Sequence, residues 1–174
     1  MNWLPTEQWR AATPPVQWPR SKALLYIMVR QFSVDRHPRY AKTNVTWCNI
    51  FVSDVTAALG CPIPHWVTQA GRPTTHDDKV NGAKELNANA TQNWLLELGG
   101  QFGWRQVNKG EAFVRADAGF PTVASWKNVK GGPGHIAMVI PDGQIAQAGA
   151  VNFSAGQLEY GFGTDKEILF FTHD

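Results

Sequence analysis

Cys48, His135 and Gln147 are the residues whose types and order can do chemistry together. A cysteine nucleophile needs a base to take its proton and a third group to orient that base. Cys48 falls in the first turn of a predicted helix, where the positive end of the macrodipole and unpaired backbone N–H groups favour thiolate over thiol. An active thiol in that position is expected to alkylate quickly near neutral pH. His135 follows the glycine turn Gly131-Gly132-Pro133-Gly134 and opens a predicted strand, so its ring sits at a sheet edge where the backbone is open. Gln147 lies on the next predicted strand, and its neutral amide can hold an imidazole in one tautomer. Gln144 and Asn152 compete with it for that place.

Four stretches must position these side chains. Thr46 to Gly60 predicts a helix with Cys48, Phe51, Val55, Ala58 and Leu59 on one apolar stripe and Asp54 and Thr56 off it. Thr46 is the expected cap, Gly60 the left-handed stop, and Pro62 and Pro64 forbid continuation. Pro121 to Trp126, His135 to Ile140 and Gln144 to Ala148 switch to strand character, with Pro141-Asp142-Gly143 turning the second into the third. A further strand is expected over Ile168 to Thr172.

The rest of the chain frames these parts. Residues 1–20 carry Pro5, Pro14, Pro15 and Pro19 with three tryptophans and predict an irregular N-terminal arm. Ser21 to Phe32 reads as a helix with Leu24, Leu25, Ile27, Met28 and Phe32 inward. Residues 61–90 are rich in loop signals and contain His65-Trp66 and His76-Asp77-Asp78. Thr91 to Leu98 and Glu111 to Ala118 predict short helices, with a strand over Phe102 to Val107 between them. Helices first and an antiparallel meander afterwards make an α+β chain, residues 1–174 forming a single domain.

Composition sets the outer limits. An apolar share of 43% and a charged share of 17% describe an ordinary globule, and a net charge of +2 gives no footing for nucleic acid. No stretch reaches membrane-spanning length, so no stable membrane association is expected. Cys48 and Cys61 sit at opposite ends of one predicted helix, about 18 Å apart at the helical rise, which is beyond a disulfide. Both are therefore expected as free thiols. Cys48, Cys61, His65 and His76 lack the close spacing of a zinc site, and no metal or other cofactor is expected. Eight tryptophans are many for this length. Trp47 and Trp126 are candidate cleft walls, and Asn49, His65 and Trp66 are further candidate substrate contacts. Asn87, Asn89 and Trp94 are explained equally well by capping and core packing.

The run Trp47-Cys48-Asn49-Ile50-Phe51-Val52 with the later Gly134-His135-Ile136-Ala137-Met138-Val139 resembles the papain-like NlpC/P60 and CHAP cell-wall hydrolases. In that family a cysteine at a helix N-terminus faces a Gly-His-hydrophobic-Ala strand, with a polar third residue on the following strand. Pro121 to Trp126 is similar to the strand that precedes the family's histidine strand. The resemblance spans roughly residues 40–150. It implies a papain-like fold with N-terminal helices packed on an antiparallel sheet. It also implies hydrolysis of an amide in the peptide part of bacterial peptidoglycan, by a cysteine amidase or endopeptidase. The implied partners are peptidoglycan peptide stems, with an immunity protein if the chain is an injected antibacterial effector, or holin-dependent release if it is a phage endolysin. No secretion signal is read at the N-terminus, so the expected route is cytoplasmic synthesis followed by delivery to the cell wall or periplasm. The segment 61–90 sets the chain apart, so the resemblance carries the chemistry and not the bond. Two other functions remain open at this point: a non-catalytic wall-peptide-binding module, and a Cys–His deamidase or acyltransferase acting on proteins.

Overall fold

A computed structural model describes residues 20–174; the expected N-terminal arm, apart from Arg20, lies outside the described residues. Helix α1 spans Lys22–Gln31. Ser21 is extended and its side chain accepts a hydrogen bond from the Leu24 N–H at 3.2 Å, as its type predicts. The buried side is Leu25, Met28 and Val29 with Phe32 at the cap. Ile27, expected inward, is exposed, because two residues along a helix turn a side chain to the opposite face from Leu25.

Helix α2 spans Cys48–Ala58. Its N-cap is Trp47 and no side chain caps it, so the expected Thr46 cap is not formed. The expected stop is formed: Gly60 has φ +77°, and the N–H groups of Gly60 and Cys61 return to the carbonyls of Ala57 and Thr56 at 3.1 and 3.0 Å. Asp54 and Thr56, expected off the apolar stripe, are buried, because α2 packs against the central sheet, α1 and the helix that follows it. Both polar groups are satisfied. Thr56 donates to the Val52 carbonyl at 2.8 Å and accepts from the Ile63 N–H at 3.0 Å. Asp54 accepts two hydrogen bonds from Arg39, at 2.6 and 3.1 Å, and one from the Tyr40 hydroxyl at 2.8 Å.

The segment expected as loop after Gly60 folds into a small antiparallel sheet. Its strands are β1 (Trp66–Val67), β2 (Pro73–Thr74) and β3 (Lys84–Glu85), with β1 in the middle. Strands of two residues are too short to show alternation, so periodicity does not reveal them. Helix α3 (Ala88–Glu97) starts earlier than the apolar pattern indicates, because Asn87 caps it by accepting from the Ala90 N–H at 3.0 Å. Helix α4 (Lys109–Asp117) is likewise extended by an Asn108 cap on the Glu111 N–H at 2.9 Å.

The main sheet is antiparallel throughout. It contains β4 (Trp104–Val107), β5 (Thr122–Trp126), β6 (His135–Ile140), β7 (Gln144–Ala148), β8 (Asn152–Gly156) and β9 (Leu169–His173), in the order β4-β9-β5-β6-β7-β8. Pro141, Asp142 and Gly143 form the three-residue turn between β6 and β7, in which Asp142 and Gly143 both have positive φ. Residues Ile136 to Ile140 are all fully buried, so both faces of β6 are covered. Strand β8 and the short helix α5 (Leu158–Phe162) were not anticipated. The architecture is α+β, with helices packed on antiparallel sheets. Among the described residues no helix is long and apolar enough to cross a membrane.

Candidate functional site

His135 is placed by the turn before it. Gly131 and Gly132 have φ of +84° and +110°, conformations that side chains rarely adopt. Asn89, in the first turn of α3, ties this turn down. Its Oδ1 accepts from the Asn128 N–H at 2.9 Å and its Nδ2 donates to the Gly132 carbonyl at 3.0 Å. A methyl at Gly134 would overlap Asn89 Oδ1 and lie 2.6 Å from the Trp126 carbonyl, so glycine is required for the close approach. His135 then pairs across the hairpin with Trp126.

The imidazole Nε2 lies 2.7 Å from Gln147 Oε1. The Gln147 Nε2 donates to the Val151 carbonyl at 2.8 Å, which fixes the amide's orientation and leaves its oxygen facing the ring. A carboxamide oxygen only accepts, so His135 Nε2 carries the proton and Nδ1 is the basic nitrogen. The two rivals are used elsewhere. Gln144 pairs with Ile140 at the far end of the hairpin, and Asn152 donates to the Tyr40 carbonyl at 2.6 Å. The ring of Phe162, on α5, packs against the His135 ring with centroids 4.7 Å apart.

Cys48 meets this strand from the other side of the seam. The backbone N–H of Ile136, the residue joined to His135, acts on its sulfur in the direction that favours thiolate, as do the N–H groups of Asn49 and Cys48 and the Thr46 side chain. Thr46 thus serves the sulfur rather than the helix end, a role its position alone did not signal. Cys48 is only 3% exposed. Burial pushes its thiol above the ordinary value, and these neighbouring polar groups only partly offset this. Burial also pushes the His135 imidazole below its ordinary value, partly offset by Gln147. The resting pair is thiol and neutral imidazole. Desolvation thus acts on the sulfur against the helix terminus.

The other expected contacts divide into two groups. Trp47 donates its indole N–H to the Ala41 carbonyl at 2.9 Å, and Trp126 packs under the Lys166 ammonium, 5.0 Å from the ring centre. Both flank the pair. His65 and Trp66 lie in the small sheet, where His65 Nε2 is 2.7 Å from Glu85 Oε1 and Trp66 stacks edge-on between His65 and His76. Asn49 joins the two regions. Its amide donates to the Leu86 carbonyl at 2.7 Å, and the Leu86 N–H donates to the His65 carbonyl at 2.8 Å. The nucleophile's helix is thereby tied to the inserted sheet. Cys48 and Cys61 are free and buried. Among the described residues no three His, Cys, Asp or Glu side chains gather as a metal site.

No protein-family model matches this chain, and no curated protein matches it.

The site carries its own stability signature. Above pH 6.5, the ordinary imidazole value, His135 is neutral whether folded or unfolded. Below it the unfolded chain takes the proton first, so stability is lost as pH falls from there through the depressed folded value. The buried Cys48 works in the opposite direction. Its contribution is intact below its ordinary value of 9.0 and is lost as pH rises towards the raised folded value. Burial lowers His37 as well, in the same acid window. Urea midpoints measured across pH 5–9 for wild type and His135→Gln should therefore differ in slope below 6.5, with the variant flatter. Equal slopes would show that His135 is not held neutral by burial.

Proposed function

We propose that the protein is a cysteine hydrolase of the papain-like, NlpC/P60 type that cuts an amide in the peptide part of bacterial peptidoglycan. One observation carries the reading: a cysteine stands at the start of the helix that packs on β6, with the Ile136 N–H favouring its thiolate, beside a histidine whose Nε2 is held by a buried glutamine at 2.7 Å. This arrangement supplies a nucleophile, a base with its basic nitrogen free of Gln147, and an orienting group.

The reaction follows from those roles. His135 Nδ1 takes the thiol proton as the sulfur attacks the amide carbonyl. The backbone N–H of Cys48 stabilises the oxyanion. The tetrahedral adduct collapses to a thioester as His135 returns the proton to the leaving amine. Water, deprotonated by His135, then attacks the thioester and releases the acid and the free thiol. Because the resting pair is neutral, the proton moves with the attack rather than before it.

Fragment analysis of purified sacculi tests this reading. Wild type should release new amines and peptide fragments, and Cys48→Ala should release none. Intact sacculi after wild-type treatment would reject wall hydrolysis. Retained binding without cleavage would instead favour the peptide-binding module, and modification of a protein substrate the deamidase or acyltransferase. Wall peptide stems are the proposed substrate, met after delivery by a secretion machine, with an immunity protein as partner, or after holin-dependent release.

Gln147→Ala should be milder than loss of nucleophile or base, because orientation is the smaller effect. We expect kcat to fall on the order of 10- to 100-fold, below the full worth of a general base, with KM little changed. A loss equal to that of His135→Ala would make Gln147 more than an orienter.

A further inference from the structure

Two glycines touch the Gln147 amide, and neither is required by its backbone. Gly149 and Gly161 both lie outside the left-handed region. Gly161 sits inside the helical turn α5, where glycine is about 1 kcal/mol less favourable than alanine. What forbids a side chain is the amide itself. A methyl on Gly161 would overlap Gln147 Oε1 and lie 2.8 Å from Ile145 Cδ1. A methyl on Gly149 would lie 2.9 Å from Gln147 Nε2 and 3.0 Å from His135 Cε1. The oxygen end and the nitrogen end of one buried carboxamide are thus each faced by bare backbone.

We propose that Gly149 and Gly161 are positioning residues that form a two-sided slot for the Gln147 carboxamide and so hold His135 in its Nε2–H tautomer. The inference rests on the reading of His135 as the base and extends it to the groups that aim the base. The slot leaves the amide one place to sit, with its oxygen on the imidazole and its nitrogen on the Val151 carbonyl. Because the clashing atoms are the end of a flexible side chain, an added methyl displaces the amide rather than unfolding the chain.

The test is a double-mutant cycle with two readouts. Gly161→Ala and Gly149→Ala are each made in wild type and in Gln147→Ala. Fragment release from sacculi gives kcat and KM, and ring-nitrogen NMR reports the tautomer and titration of His135. In the wild-type background each glycine change should lower kcat about tenfold, with KM within about twofold, and should move the His135 nitrogen signals. In the Gln147→Ala background, where the amide is gone, Gly161→Ala should alter kcat less than about twofold, since both act through one group, whereas Gly149→Ala keeps part of its effect because its methyl also meets His135 Cε1. Independent, multiplying losses for Gly161→Ala and Gln147→Ala would overturn the proposal, as would unmoved His135 signals. If wild type releases no fragments, the hydrolase reading fails, and the NMR arm alone decides the slot: moved signals that depend on Gln147 support it, and unmoved signals reject it.

Discussion

Cys48→Ala abolishes fragment release from sacculi, with a loss of at least about 10⁴-fold, the scale seen when one member of a nucleophile–base pair is removed. His135→Ala gives a loss of the same order, and the double variant is no worse than either single one, because nucleophile and base act as a unit. The folded state survives both changes. Removing one sulfur from a buried site leaves a small cavity and costs about 1 kcal/mol on the scale of single-group core truncations. His135 is only partly buried, and its hydrogen bond is to a neutral amide. Circular dichroism and a urea midpoint close to wild type, together with absent fragments, are the expected pair of results. Residual cleavage by Cys48→Ala above background would remove the sulfur from the mechanism.

Asp54→Ala is expected to cause the largest loss of stability among single changes in the nucleophile helix. Asp54 is buried in the middle of α2, and the Arg39 side chain that meets it is only 7% exposed. The two hydrogen bonds from Arg39 at 2.6 and 3.1 Å form a fork, and the Tyr40 hydroxyl adds a third at 2.8 Å. Taking away the carboxylate leaves a buried guanidinium facing an apolar methyl, a change that costs about 3–5 kcal/mol. Asp54→Asn keeps an acceptor for Tyr40 and removes the charge, so it should fall between wild type and alanine. Urea unfolding of the three proteins gives the order. A midpoint for Asp54→Ala near wild type would mean that the ion pair contributes little to holding the segment before α2 in place. Tyr40 also receives the Asn152 amide on its carbonyl, so this loss should reach the β7–β8 end of the sheet.

Much of the scaffold was legible from residue types with a local physical effect. Ser21 before an apolar run, Gly60 after one, and Asp142-Gly143 between two strands each act within a few residues, and each is found where it was read. The sequence order of Cys48, His135 and Gln147 also suggested the grouping, and the structure brings Gln147 onto His135 while Gln144 and Asn152 go elsewhere. What sequence did not show depends on distant partners. Asp54 and Thr56 look like a polar edge of α2 until Arg39, Tyr40 and Ile63 are in place to receive them. The small sheet of β1, β2 and β3 has strands too short for any period. Asn89 reads as a helix-start residue, and only the fold reveals that it clasps the turn before His135. The helix terminus at Cys48 is visible in residue types, whereas the depth of its sulfur is not.

The strand order has a consequence for when the protein becomes whole. β9, which follows the other five strands of the main sheet along the chain, does not lie at a rim but fills the slot between β4 and β5. Until it is inserted, β4 has no neighbour in the main sheet and β5 lacks one of its two. A ribosome-bound chain that has already exposed Cys48, His135 and Gln147 still carries an open gap where Phe170 and Phe171 belong. The sheet that carries His135 and Gln147 is therefore expected to close only when a strand that leaves the ribosome after both of them has been inserted.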